Sequence, residues 1–184
     1  MDTSILTERL SIRRLELRHA EAVFQYRSDH TISRYQNWEP ESVGEIQSFI
    51  AGLDEICVDT PGRWYQLGLC VRSSGELAGD CGIHVQVHDP RQVEIGITLA
   101  RNFQGRGLAT EALKAILGYV FNTLGKHRVF GSVDPRNASS LALLERVGMR
   151  REAHFVESLW FKGAWADDVI YAMLRREYSA EKKA

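Results

Sequence analysis

A run of seven residues, Gln104-Gly105-Arg106-Gly107-Leu108-Ala109-Thr110, carries the first chemical signal in this chain. Glycine at 105 and 107 lacks the Cβ that would hold a ligand away from the backbone. A helix starting here presents unpaired N–H groups and a partial positive charge. That suits an anion, phosphate above all. Arg106 either adds charge toward the anion or sits in solvent. A nucleotide P-loop ends in Gly-Lys-Ser or Gly-Lys-Thr, and the chain has no such ending. A dinucleotide loop needs a third glycine where this chain has Thr110. A plain glycine-rich turn is the ligand-free alternative.

Other reactive side chains are more scattered. Glu94 lies among apolar residues in Val93-Glu94-Ile95-Gly96-Ile97-Thr98-Leu99. Burial there would raise its pKa and fit it for general-base work; an outward or ion-paired strand carboxylate is the competing reading. His84 and His88 are four apart, which on a helix makes a metal pair. Their β-branched context predicts a strand, where four residues span about 13 Å, too far for one ion to bridge. No metal is expected. Asp167 and Asp168 are adjacent at a strand start, so their side chains should take opposite faces, and both read as structural. Cys57, Cys70 and Cys81 are odd in number and form no Cys-x-x-Cys pair. That argues against a disulfide framework or a structural zinc and suits a reducing cytoplasm.

A strand, a loop and a helix from Gln92 to Phe121 must position these groups. Val93, Ile95, Ile97 and Leu99 alternate with Glu94, Gly96 and Thr98 as a strand does. Ala109, Ala112, Leu113, Ile116 and Val120 recur at helical spacing. Upstream, the pattern predicts an irregular strand over 10–17 and a helix over 19–28 with Ala22, Val23 and Tyr26 inward. A second helix runs to about Val58, opened by the capping box Ser42-Val43-Gly44-Glu45. The loop between them carries Tyr35 and Trp38. Strands over 65–71 and 77–87 form a hairpin. Downstream come a strand over 128–133, a helix over 137–146 and strands over 150–161 and 165–174.

Short links make the neighbouring strands antiparallel, while the strand–helix–strand connection from Val93 to Val133 makes that pair parallel. The expectation is a seven-stranded, mixed, mainly antiparallel α/β sheet. It forms one domain over 1–184, with a core of about 7–178 and a frayed Glu-Lys-Lys-Ala end. The net charge of -1 gives no sign of a nucleic-acid partner. No apolar run approaches the roughly 20 residues of a membrane span. The first ten residues show no signal-peptide pattern. The oligomeric state is open at this level.

The loop resembles the Q/R-x-x-G-x-G/A acetyl-CoA loop of the GCN5-related N-acetyltransferase (GNAT) superfamily, and Thr110-Glu111-Ala112-Leu113 resembles the helix start that follows it. Asn137-Ala138-Ser139-Ser140, with Glu145-Arg146-Val147-Gly148-Met149, is similar to the superfamily's second cofactor helix. The match looks closest to the RimJ/RimL-like branch, which acetylates ribosomal-protein N-termini. Thr7-Glu8-Arg9-Leu10, Arg13, the Trp38 loop, Gly163, Asp167 and Tyr171 carry that part. The resemblance covers about 7–178.

The resemblance implies a splayed central pair of parallel strands, helices on both faces of the sheet, and acetyl-CoA as co-substrate. Backbone at Ile97, Thr98 and Leu99 would pair with pantetheine and polarise the thioester. Gln104, Gly105, Arg106, Gly107, Leu108, Ala109 and Thr110 would hold the pyrophosphate, and Asn137 would bond the pantetheine arm or cap its helix. Transfer would be direct, with Glu94 as base. The superfamily's tyrosine acid aligns with Leu144, so Ser140 is the substitute donor or a packing serine. The loop with Tyr35 and Trp38 would line the acceptor site, a packed or exposed aromatic loop being the alternative, and His84, on its strand, is a further candidate to face that groove.

The expected acceptor is a protein or peptide N-terminus, such as a ribosomal protein's. An α-amine near pKa 7.8 is roughly a quarter neutral at pH 7.4, against about 0.1% for a lysine. Such an acceptor needs less help from a base. A small amine such as an antibiotic or polyamine is the first alternative. A non-catalytic acyl-CoA sensor is the second.

Overall fold

The computed structural model describes residues 4–181. Strands β1 (Ser4–Leu6) and β2 (Leu10–Arg14) open the chain, and Leu10 and Ile12 alternate into the core. Helix α1 (Ala20–Arg27) buries Ala20, Val23 and Tyr26. A single turn, α2 (His30–Ser33), follows it, capped by Asp29, whose carboxylate accepts the Thr31 N–H at 2.8 Å. Helix α3 (Val43–Gly52) is shorter than the expected run to about Val58, because the chain tightens into a 3-10 turn at Leu53–Glu55. Its capping box is half formed. Ser42 Oγ accepts the Glu45 N–H, but the Glu45 carboxylate takes the Glu41 N–H and Trp38 Nε1.

Strands β3 (Trp64–Val71), β4 (Leu77–Val85) and β5 (Gln92–Leu99) form an antiparallel meander. Helix α4 (Leu108–Gly118) buries Leu108, Ala112, Leu113, Ile116 and Leu117, then loosens into a π turn at Tyr119–Thr123. Next come β6 (Arg128–Val133), α5 (Ala138–Arg146), β7 (Arg150–Phe161), β8 (Ala164–Leu174) and α6 (Arg175–Glu181). The strands make one eight-stranded sheet in the order β1-β2-β3-β4-β5-β6-β8-β7. The extra strand is β1, whose 3 residues are too few to show an alternation. Helix α6 stands where the sequence suggested only an end; of the Glu-Lys-Lys-Ala tail, 182–184 lie outside the described residues. No helix among the described residues is long and apolar enough to cross a membrane.

One parallel pair interrupts the antiparallel sheet. Strands β5 and β6 pair at Gln92–Arg128, Val93–Val129 and Glu94–Phe130, then part. On its other edge β5 stays paired to β4 as far as Leu99–Gly79. The Gln86 N–H donates to the Gln92 carbonyl, and the Ala100 N–H to the Ala78 carbonyl. That phase turns the backbone of the even residues of β5 toward β4 and of the odd ones toward β6. Beyond Glu94, therefore, the backbone of Ile97 and the N–H of Leu99 face an open gap. Thr98 is the exception within the expected trio: its backbone pairs with Asp80 of β4, so its N–H and carbonyl are not available to a ligand in the gap.

Candidate active site where β5 and β6 part

Two cavities meet at this gap. The first, a groove of about 1170 Å³, runs along the start of α4. Gly107 is the residue before the helix, with φ 77°, and Gly105 has φ 71°. Side chains rarely adopt this left-handed backbone, which is why glycine stands there. The first helical bond of α4 runs from the Glu111 N–H to the Gly107 carbonyl at 3.1 Å. Leu108, Ala109 and Thr110 precede it, so helix geometry leaves their N–H groups to the groove. Arg9, Arg34, Arg101, Lys114 and Arg146 line the same groove. Among the described residues its one carboxylate, Glu111, is taken by Arg9 Nε at 2.6 Å, the Arg9 N–H at 2.8 Å and the Thr7 hydroxyl at 2.6 Å. A helix start ringed by cations has the electrostatics to hold an anion.

The loop is braced from behind. Arg9 Nη1 bonds the Arg106 carbonyl at 2.8 Å, and the Arg106 guanidinium stands 5.8 Å from the Phe103 ring centroid. The Gln104 side chain, expected on the cofactor, donates to the Leu99 carbonyl at 2.8 Å. It ties strand to loop. Asn137 caps α5, its Oδ1 accepting the Ser140 N–H at 3.2 Å.

The second cavity, about 630 Å³, lies on the other side of the gap. Trp38, Phe49 and Trp64 give it an aromatic wall, and Glu94 and Asp168 line it together. Trp38 packs on Phe49 at 4.8 Å and is fixed by Nε1 to Glu45 at 2.7 Å. Tyr35 donates to the Arg136 carbonyl at 3.1 Å. Lys162, at the β7–β8 turn, bonds the Ser33 carbonyl at 2.9 Å and Glu39 at 3.0 Å. That contact ties the hairpin to the Tyr35–Trp38 loop beside the cavity. Between Glu94 and Thr98, a Cβ on Gly96 would meet nothing within 4 Å, so the floor there is open. Tyr35, Gln36, Ile97, Thr98, Asn137 and Ser140 line both cavities, and so mark their junction.

Burial raises the Glu94 pKa, and the nearby charge of Asp168 pushes it the same way against an opposing His84. His84 does not line the cavity as expected. It stands across the strand pair from Glu94, Nδ1 to Oε2 at 3.8 Å, stacked on Trp64 at 5.0 Å. Asp168 is a cavity residue that sequence reasoning set aside as structural. It accepts the Ser132 hydroxyl at 2.7 Å, while Asp167 holds His154 at 2.7 Å and the Glu157 N–H at 2.9 Å. Both aspartates line the cavity, with their carboxylates engaged by different partners. Among the described residues no group of three or more His, Cys, Asp or Glu stands close enough to hold a metal. All three cysteines are free.

Residues 9–150 match the model of the acetyltransferase (GNAT) domain. The chain is 30% identical over 175 residues, 95% of its length and 99% of the relative's, to "Uncharacterized N-acetyltransferase YnaD" of Bacillus subtilis. It is 25% identical over 95% of its length to spermidine N(1)-acetyltransferase of Escherichia coli, covering 90% of that protein. A shorter match, 32% over 46% of the chain and 44% of the relative, is to the [ribosomal protein uS5]-alanine N-acetyltransferase of Escherichia coli. Among solved structures, an acetyltransferase (GNAT family) from Bacillus anthracis superposes with a TM-score of 0.84 at 26% identity, covering 95% of this chain and 99% of that one.

Proposed function

The chain belongs to the GNAT acetyltransferase family, and we propose that it acts as one cytoplasmic domain that passes an acetyl group directly from acetyl-CoA to a protein or peptide N-terminal α-amine. The observation that carries this reading is the junction. A cationic groove at a helix start meets a cavity with a half-buried carboxylate, Glu94, and an aromatic wall.

The residues present fit the cofactor. The N–H groups of Leu108, Ala109 and Thr110 would hold the pyrophosphate, supported by the five groove cations. Along the gap, the Ile97 backbone and the Leu99 N–H offer one open strand edge to the amides of pantetheine. Acetyl-CoA supplies the activated thioester. The Ile97 N–H would donate to the thioester carbonyl, a bond that strengthens as charge develops there. Glu94, kept more basic by burial, removes a proton from the incoming ammonium, directly or through water. Trp38 and Tyr35 form the wall past which the acceptor enters.

The uS5-alanine relative supports an N-terminal acceptor. A second reading is a small polyamine: Glu94 and Asp168 share one aromatic-walled cavity, and the spermidine relative aligns over most of the chain. Thiol release from acetyl-CoA separates the two. The panel is a set of free-N-terminus peptides, their N-blocked lysine-containing counterparts, spermidine and an aminoglycoside. Turnover confined to the free N-termini is expected. Preference for spermidine would select the second reading, and no turnover of any amine would sink the first.

A further inference from the structure

A buried hydrogen-bond chain runs from the middle of the sheet to the junction. Asp80 on β4 is 1% exposed. Its carboxylate accepts from the Tyr26 hydroxyl, from Arg27 Nη2 at 2.7 Å and from Gln66 Nε2 at 2.6 Å. Arg27 Nη1 then donates to Gln36 Oε1 at 2.9 Å, and Gln36 Nε2 donates to Thr98 Oγ1 at 2.7 Å. Burying such a set is costly, and the bonds named offset that cost, although Arg27 Nε has no hydrogen-bond partner among the described residues.

The chain has a direction. Arginine has only donors, so the Gln36 oxygen must face Arg27 and its NH2 must face Thr98. The Thr98 oxygen therefore accepts, and its own proton has to point elsewhere. Among the described residues no acceptor bonds that proton. Thr98 lines both cavities, at the place where the acetyl group changes partners. Ser140 also lines both cavities, but among the described residues no side chain bonds its hydroxyl. The position of the superfamily's acid is Leu144, which has no proton to give.

We propose that Gln36 is a positioning residue that aims the Thr98 hydroxyl at the thioester sulfur, so that Thr98 stabilises the departing thiolate by a hydrogen bond. This rests on the acetyl-CoA reading of the groove. The balance is that of direct transfer. The neutral amine's nitrogen forms the N–C bond and the C–S bond breaks; Glu94, having released the ammonium proton to solvent, takes the second amine proton, and the thiolate leaves hydrogen-bonded to Thr98. Solvent then protonates the thiolate. Thr98 orients a proton and does not surrender it.

The test is Gln36→Glu. A glutamate keeps the Arg27 contact, since its carboxylate accepts as the amide oxygen does. It cannot donate to Thr98, so the hydroxyl turns to donate to it and withdraws from the junction. Expected is a fall in kcat of about tenfold to a hundredfold, the range of a hydrogen bond to a charged group. KM for acetyl-CoA and Tm should stay near wild type. Thr98→Val should lose as much, Thr98→Ser should recover most of it, and the Gln36→Glu/Thr98→Val pair should be no worse than either alone. A second readout needs no acceptor. With CoA bound, the thiol, followed by thiolate ultraviolet absorbance, should titrate at higher pH in Gln36→Glu than in wild type. Wild-type kcat and an unmoved thiol titration in Gln36→Glu would overturn the inference while leaving the acetyl-CoA reading standing. CoA that fails to bind the wild-type protein would overturn both.

Discussion

Glu94 faces His84 directly across the β4–β5 pair, with 3.8 Å between carboxylate and imidazole, yet the carboxyl pKa lies above its ordinary value of 4.5. Burial and the charge of Asp168 outweigh the histidine. The histidine, 3.8 Å away, offsets that push only in part. It leaves Glu94 more basic than a surface glutamate.

Glu94→Gln should therefore lower turnover, most steeply for high-pKa amines, and should flatten the acidic limb of the pH–rate profile. The sign for stability is opposite. A carboxyl whose folded pKa is raised binds its proton more tightly when folded. Stability then declines as pH rises from 4.5 through the raised value. The glutamine variant should melt higher than wild type at neutral pH and equally in acid. A variant that melts lower at neutral pH, with an unchanged rate profile, would return Glu94 to a packing role.

Gly107 separates backbone strain from ligand blockade. Gly107→Ala places a Cβ at φ 77°, 3.4 Å from Arg9 Nη2, and should cost about 1–2 kcal/mol of stability in denaturant titration. Gly107→Glu adds negative charge where phosphate sits, so CoA binding by calorimetry should vanish as well. Equal CoA affinity in the glutamate variant would remove the loop from the cofactor site.

The cationic groove predicts a salt-dependent cofactor. CoA affinity should weaken steadily between low and physiological ionic strength, because exposed charges are screened over about 8–10 Å. Arg146, within 3.5 Å of Thr110 Oγ1, should contribute to this. Arg146→Ala should weaken CoA binding severalfold and lessen its salt response, with Tm unchanged. Salt-independent binding would argue that the groove cations do not meet the ligand.

Asp80 bonds Tyr26, Arg27 and Gln66. Asp80→Ala strands the Arg27 charge, and loss of one buried partner typically costs about 3–5 kcal/mol. Urea unfolding should show a loss of that size. A loss under about 1 kcal/mol, the scale of an exposed pair, would mean that water reaches the site.

What the sequence determined by itself was local. The alternation of Val93, Ile95 and Leu99, the 3.6 spacing behind α4, the glycines at 105 and 107 and the cap at Asn137 all lie within a turn or a strand of what they control. Backbone geometry alone ties such spacing to structure. From them came the mixed sheet, the parallel pair and the groove at the start of α4. Tertiary structure decided what depends on partners far away in the chain. Whether Ile97 or Thr98 turns its backbone to the gap follows from the hydrogen-bond phase between β4 and β5, which no period of 2 reveals. Asp168 comes to share a cavity with Glu94, and His84 stands behind Glu94, because folding chooses which side of a pleat is covered. Gln36 meets Thr98 across 62 residues. Such a contact is one amide against one hydroxyl, and it leaves no pattern in either stretch.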